Sequence, residues 1–326
     1  MSGTLIGKEG LFGSEDSGTA SGSDADSKGV RKPASAPVKI AVIGGQSRRK
    51  KKDSARSGGR PGGRPGGGRL ACMSAVSRAI VTQDKHFPNA DQPSINVLCK
   101  AIEFIRPTTY VDLGDVGEWE NFSHWKYKRK KQPPLEFMIP DLETDIIEVN
   151  KGMDQIDEAL DKIGCKEKYM IEGNHDNWLN TFCEVHPYIS QYKFHLAVQL
   201  KKRGYEYYPF GEHLKLGKLY MYHGHQYGGQ YHTANHLRKL GCNIMYGHWH
   251  DLQHMTATHM DGPKAAWSIG CLKDFNKGND WLDNRRTNWA HAFAIVDFFD
   301  EGHFTVHVVQ IIDGRCSIWG EVIDGN

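Results

Sequence analysis

The 326-residue sequence predicts an α/β domain over residues 74–326, preceded by a disordered basic arm over residues 1–73. Three observations carry this reading. From about residue 78 to 250, short strand-like apolar runs alternate with segments of helical spacing, and strands alone follow, the pattern of a layered α/β domain. Hydrophobic residues make up 39% and aromatics 10% of the chain, with eight Trp, enough apolar material for a sizeable core. The formal net charge of +2 is unevenly spread: residues 1–70 hold 14 Lys and Arg against six Asp and Glu, net +8, and the remainder is net −6.

Residues 1–37 are mostly Ser, Gly, Ala and Asp and have few apolar anchors. "VKIAVIGG" (38–45) has strand character but stands isolated between two low-complexity stretches. Residues 46–69 hold nine basic residues, one acid and seven Gly, which makes them a flexible cationic segment: a solvated linker, or an arm with loose affinity for the phosphate backbone of DNA or RNA. "RAIVTQDKHFP" (78–88) reads as a strand with a polar end. Residues 94–107 have helical spacing and stop at Pro107, and 108–119 read as a strand and loop. A long amphipathic helix is expected over 139–164, a strand and loop over 166–176 with a helical pattern after it, and a helical region over 189–203. Strands are expected at 218–225 and 243–250 around a short helix at 232–241, then at 255–260, 265–270, 291–298 and 303–311. Seven Cys, an odd number with no C-x-x-C pair, argue against a disulfide framework or zinc ribbon and for reduced thiols, as in a cytoplasm. No apolar run approaches the roughly 18 residues of a membrane span, so no membrane partner is expected. "MSGTLIGKEGLFG" lacks the basic and apolar regions of a signal peptide.

Five strand-end loops present metal-capable side chains: Asp84-Lys85-His86, Gly114-Asp115, Gly173-Asn174-His175-Asp176, His223-Gly224-His225 and Gly247-His248-Trp249-His250. In an open α/β sheet the strand C-termini lie along one edge, so separate loops can converge on one site. Carboxylate, imidazole and one amide oxygen suit Mn, Fe or Zn rather than a thiolate site. Glycines beside them permit tight turns. Taken singly, a Gly-Asp is a turn and a buried His a hydrogen-bonded core residue. Five such loops, each at a strand end, point to one centre.

The order D-x-H, GD, GNHD, H and GHxH over residues 78–270 resembles the calcineurin-like metallophosphoesterase superfamily. It is most similar to the small phage-type and bacterial phosphoesterases, with a more distant likeness to double-strand-break-repair nucleases. The resemblance implies a four-layer α/β/β/α sandwich with two divalent metals, Mn first and Fe or Zn as alternatives. One metal would take Asp84, His86, Asp115 and His250, the other Asp115, Asn174, His223 and His248, with Asp115 bridging. A water held between the metals would be the nucleophile. His175 would be the general acid and Asp176 would orient its imidazole. Where family members often carry Asp or Asn a few residues after Gly-Asp, this chain reads Val116-Gly117-Glu118-Trp119, in a loop that usually meets substrate. Because residues 46–69 break any link between "VKIAVIGG" and the D-x-H loop, the first strand of the fold is expected at 78–82.

The implied activity is phosphate-ester hydrolysis, with a phosphodiester or nucleic acid as the leading substrate and a phosphomonoester or phosphoprotein as the alternative. From another class, a non-catalytic scaffold or a nucleic-acid-binding protein would use the same fold; the complete ligand set and His175 speak against the scaffold. "HWKYKRKK" (124–131) reads as a cationic rim or a solvated loop. Arg285 and Arg286 are candidate phosphate contacts, although packing of Trp281 and Trp289 accounts for their segment as well. His225 is a candidate partner of a metal ligand or of substrate. The expected location is the cytoplasm, that of the host if the chain is phage-encoded.

Overall fold

The computed structural model describes residues 39–41, 77–123, 126–128, 130–279, 282–283 and 285–326. Their elements in chain order are β1 (Lys39–Ala41), β2 (Ser77–Thr82), α1 (Gln92–Ile105), β3 (Thr109–Asp112), α2 (Leu135–Ile163), β4 (Glu167–Ile171), α3 (Asn174–Val185), α4 (Phe194–Ala197), β5 (Tyr205–Tyr208), β6 (Leu214–Leu216) and β7 (Leu219–Tyr222). Then follow α5 (His232–Leu240), β8 (Asn243–Tyr246), β9 (Leu252–His259), β10 (Gly262–Ile269), β11 (His291–Phe298), β12 (Phe304–Ile311), β13 (Arg315–Ile318) and β14 (Glu321–Asp324). One six-stranded sheet has the order β12-β11-β2-β3-β4-β5, a second β1-β6-β7-β8-β10-β9, and β13-β14 form a separate pair.

Strand alternation builds the layers. Successive side chains point to opposite faces, so Ile80, Tyr110 and Met170 leave the first sheet toward α1 and α2, where they pack with Ile95, Leu98, Ile102, Ile156 and Leu160. Their neighbours Val81, Val111 and Ile171 point the other way and pack between the sheets against Leu216, Met221, Met245 and Ile269. Tyr222, Ile244 and Tyr246 leave the second sheet on its outer side and pack with Leu237 of α5. The result is the four-layer α/β/β/α sandwich expected from the sequence.

β2 through β5 are parallel, as are β7 and β8. Parallel pairing carries the ends of β2, β3 and β4 to one edge of the first sheet, and those of β7 and β8 to one edge of the second, which places all five loops for convergence.

Helix ends follow local chemistry. The Asp91 carboxylate accepts from the Ser94 amide at 3.0 Å to cap α1, which ends at Arg106 before Pro107. α2 begins at Leu135, before the expected 139, and carries Pro140 within its first turns, where few intrahelical N–H bonds are lost; it closes on Gly164 at φ 72°.

Other differences are in short elements. The helical region expected over 189–203 holds only a 3-10 segment (Pro187–Tyr192) and α4. β5, β6, β13 and β14 were not foreseen. β2 is the first strand of its sheet, but Lys39–Ala41 of the isolated "VKIAVIGG" form an earlier strand that pairs in parallel with β6 at an edge of the second sheet, so the first strand of the fold is not the one expected at 78–82. The rest of the arm lies outside the described residues. Among the described residues no helix is long and apolar enough to cross a membrane.

Candidate metal centre

Five of the seven residues expected to be ligands have left-handed backbone: Asp84 (φ 47°), His86 (53°), Asp115 (50°), His248 (68°) and His250 (61°). This region is unfavourable for residues with a Cβ and persists where surrounding structure enforces it. The enforcement is visible. Asp84 N donates to Gly114 O at 2.9 Å and His86 N to Asp115 O at 3.0 Å, tying the D-x-H loop to the Gly-Asp loop. Side chains then lock the remaining loops: the Asp84 carboxylate accepts from His248 N, and that of Asp115 from His175 N, both at 2.8 Å. A Cβ on Gly247 would collide with Asp84 Oδ2, and one on Gly173 with Asp115 Oδ1, so both glycines are required by close approach.

The candidate ligand atoms form two adjoining groups. In the first, His250 Nε2 lies 3.3 Å from Asp84 Oδ1 and 3.2 Å from His86 Nε2, and His86 Nε2 lies 3.8 Å from Asp115 Oδ2. In the second, His223 Nε2 lies 3.2 Å from the same Asp115 Oδ2, 2.8 Å from Asn174 Oδ1 and 3.2 Å from His248 Nδ1. Donors about 2.0–2.2 Å from one ion sit roughly 3 Å or somewhat more from each other, so both groups fit a divalent ion. The buried Asp84 Oδ1 has no hydrogen-bond partner among the described residues, as expected of an oxygen reserved for a cation. His223 Nδ1 donates to Leu113 O at 2.9 Å, which leaves Nε2 for a metal.

The electrostatics are those of a cation site. Burial favours protonated carboxyls, yet the neighbouring His250, His86 and His223 hold Asp84 well below the usual carboxylate range. The Asp115 carboxyl is likewise held low by His223 and His175 against its burial. In return, burial lowers the imidazoles, but Glu118 lifts His86 to about 9 and Asp115 lifts His223 to about 9. Protons on these two rings occupy charge positions that a metal would take. Burial brings His248 down to about 3.

His175 lies beside the first group, its ring 4.5 Å from that of His86 and tilted by 34° against that of Trp178 at 3.8 Å. Its Nδ1 donates to the Glu118 carbonyl at 2.6 Å, and burial lowers it to about 4. The expected Asp176–His175 pairing is not formed. Asp176 instead accepts from Trp119 Nε1 at 3.0 Å and Gly173 N at 3.2 Å, bracing the GNHD turn against the 116–119 loop; burial and then Asp115 raise it to about 7. The reason is geometric, since consecutive residues of a helix do not face each other.

A cavity of about 520 Å³ opens over the centre and is lined by His86, Asp115, Asn174, His175, His248 and His250 together with Trp178, Trp249 and Trp289. Asp84 and His223 lie beneath. Glu118, Lys126 and Lys273 also line it. Lys126 belongs to the basic run 124–131 and pairs with Glu120 at 3.3 Å; Lys128 and Lys130 are exposed. Arg285 and Arg286 are exposed and absent from the wall, and His225 stacks on Phe210 at 4.1 Å outside it. Trp289 packs against His250 at 4.6 Å, and Trp281 lies outside the described residues. Sequence reasoning missed Trp178, Lys273 and the role of Glu118; only Glu118 had a signal, in a loop already seen to depart from the family pattern.

The four layers are those that the resemblance to the calcineurin-like metallophosphoesterases implies, and the five loops meet around Asp115. No family model and no curated protein sequence matches the chain. Among solved structures it is similar to a single mutant of Vps29 from Entamoeba histolytica, with 17% identity and a TM-score of 0.38 over 76% of this chain and 99% of that one. It is also similar to Yfce, a phosphoesterase from E. coli (14%, TM-score 0.31, 71% and 98%) and to a dimetal phosphatase from Danio rerio (12%, TM-score 0.35, 77% and 100%).

Proposed function

We propose that this chain is a metal-dependent phosphoesterase, with phosphodiesters, nucleic acid included, as the leading substrate class and manganese as the leading metal. The observation that carries this is the convergence of seven ligand side chains, five of them on left-handed backbone, into two groups that share Asp115 Oδ2. Asp84, His86, Asp115 and His250 would hold one divalent ion, and Asp115, Asn174, His223 and His248 a second. Such a pair, when bound, supplies charge neutralisation for the phosphate oxygens and makes water acidic enough to act as a nucleophile near neutral pH.

The chain's own residues do the rest. The Nδ1–H bond to the Glu118 carbonyl fixes the His175 ring; burial keeps that imidazole neutral near pH 7, and the negative charge of a bound phosphate ester would raise it so that its other nitrogen carries a proton to the leaving oxygen. Trp178 lies against that imidazole, its ring tilted by 34° with centroids 3.8 Å apart. Asp176 holds the GNHD turn in place. Lys126, on the wall, offers a positive charge to an anionic substrate. The basic residues before 74 would add salt-sensitive attraction for DNA or RNA. The test is a substrate panel with added manganese: aryl monoesters and diesters, single- and double-stranded DNA, RNA and cyclic nucleotides. Metal-dependent turnover of diesters ahead of monoesters supports the proposal. Preference for monoesters would move the substrate class, and no turnover in folded, metal-loaded protein would overturn the activity.

A further inference from the structure

A buried ion pair stands in the cavity wall, and the chemistry above does not use it. Lys273 is 2% exposed, and its Nζ donates to Glu118 Oε2 at 2.5 Å. Burying such a pair costs desolvation that the attraction only roughly offsets, so stability alone is a weak reason to keep it. Three segments converge to enclose it. Lys273, just after β10, forms a backbone bridge with Ala90, three residues past Phe87. Glu118 comes from the loop after β3, with Asn89 Nδ2 3.4 Å from its Oε2. Gly278, at φ 63°, lies over the pair with its carbonyl 3.4 Å from Nζ, and a Cβ there would come within 2.6 Å of Asn89 Nδ2.

The same Glu118 Oε2 lies 3.4 Å from His86 Nδ1. That nitrogen is buried and has no hydrogen bond among the described residues, so Glu118 is the acceptor within its reach. Its other nitrogen, Nε2, is the one grouped with Asp84, His250 and Asp115. A carboxylate behind a ligating imidazole fixes the ring's orientation and tautomer. The other carboxylate oxygen, Glu118 Oε1, lies 3.7 Å from His175 Nδ1, so a second imidazole is close by and a fixed cation on Oε2 would decide the orientation.

We propose that Lys273 is a positioning residue for the metal centre: it pins the Glu118 carboxylate behind His86 Nδ1, so that His86 presents Nε2 to the ion shared with Asp84 and His250. The inference rests on the metal reading above. It assigns to residue 273, remote in sequence from every motif, control over one of the two metal positions.

The experiment is calorimetric titration of the metal-free full-length chain with manganese. The native chain should bind two ions. Lys273→Met and Glu118→Gln should each weaken one of them by about 10- to 100-fold and leave the other unchanged. Because Lys273 acts through Glu118, the double variant should lose no more than Glu118→Gln alone, and Lys273→Arg should recover most of the affinity. Two ions bound by Lys273→Met as tightly as by the native chain overturn the inference alone, as do additive losses in the double variant. Fewer than two ions bound by the native chain overturn the metal reading and this inference together. If Lys273→Met does not fold, Glu118→Gln and Lys273→Arg decide by the same criteria.

Discussion

Lys85, the middle residue of the D-x-H loop, gives a sharp test of how the loop is held. Its Nζ pairs with Asp112 Oδ2 at 2.6 Å, and the two side chains are 1% and 3% exposed. Asp112 Oδ1 in turn accepts from Gly114 N at 3.1 Å, so the pair joins the loop after β2 to the loop after β3. Lys85→Met removes the cation and leaves a buried carboxylate uncompensated, a change that typically costs about 3–5 kcal/mol. In a domain of this size that is roughly a 10 °C fall in the melting midpoint of the metal-free protein. Adding Asp112→Asn removes the charge but keeps the Gly114 acceptor, so Lys85→Met/Asp112→Asn should regain about 2 kcal/mol of the loss. The loss also carries a pH signature. Burial already raises Asp112 above the ordinary carboxyl range against the pull of Lys85, and without Lys85 it rises further. A folded-state value above the unfolded one of about 3.9 means that the folded chain holds the extra proton at low pH. The Lys85→Met penalty should therefore be small near pH 4 and grow toward pH 7, relative to the native chain. Denaturant titrations of the four chains of the cycle at both pH values measure this. A penalty below about 1 kcal/mol, or one independent of pH, would refute the reasoning.

Other perturbations separate the roles inside the site. Asp115→Asn should lower activity more than any ligand that serves a single group, because Asp115 Oδ2 faces both; steady-state rates of the seven ligand variants check this. His175→Ala should retain both ions in elemental analysis and slow the reaction by roughly 10²–10⁴-fold, most for poor leaving groups and least for an activated aryl ester. Equal losses for both esters would remove His175 from proton donation. Deleting residues 1–73 removes a three-residue edge strand from β6; it should leave small-substrate turnover intact, lower the melting midpoint by only a few degrees, and flatten the salt dependence of any polynucleotide binding, which filter binding at graded salt would show.

What could be read from the sequence was set by local chemistry. A metal-capable side chain at a strand end next to a glycine is a short-range pattern, so Asp84, His86, Asp115, Asn174, His223, His248 and His250 could be named as candidates from the chain, and parallel pairing brings their loops together. The role that the resemblance implies for Asp176 does not match its contacts, because α3 starts at Asn174 and turns the side chains of His175 and Asp176 apart. Glu118 and Lys273 are 155 residues apart and no periodicity links them. α2 starts at Leu135, four residues before the expected 139. β5 and β6 are four and three residues long, too short to show alternation, and β13-β14 form a small pair after the main sheets. Lys39–Ala41 had strand character without a visible partner, because β6 lies more than 170 residues away.

The central claim is that two divalent ions sharing Asp115 make this chain a phosphoesterase. The most direct measurement is phosphodiester hydrolysis followed while manganese is titrated into metal-free protein, with bound metal counted at each step. The account predicts little turnover at one equivalent, a rise that completes at two, and loss of that second step in Asp115→Asn. Full turnover at one equivalent, or none in folded protein holding two ions, would contradict it.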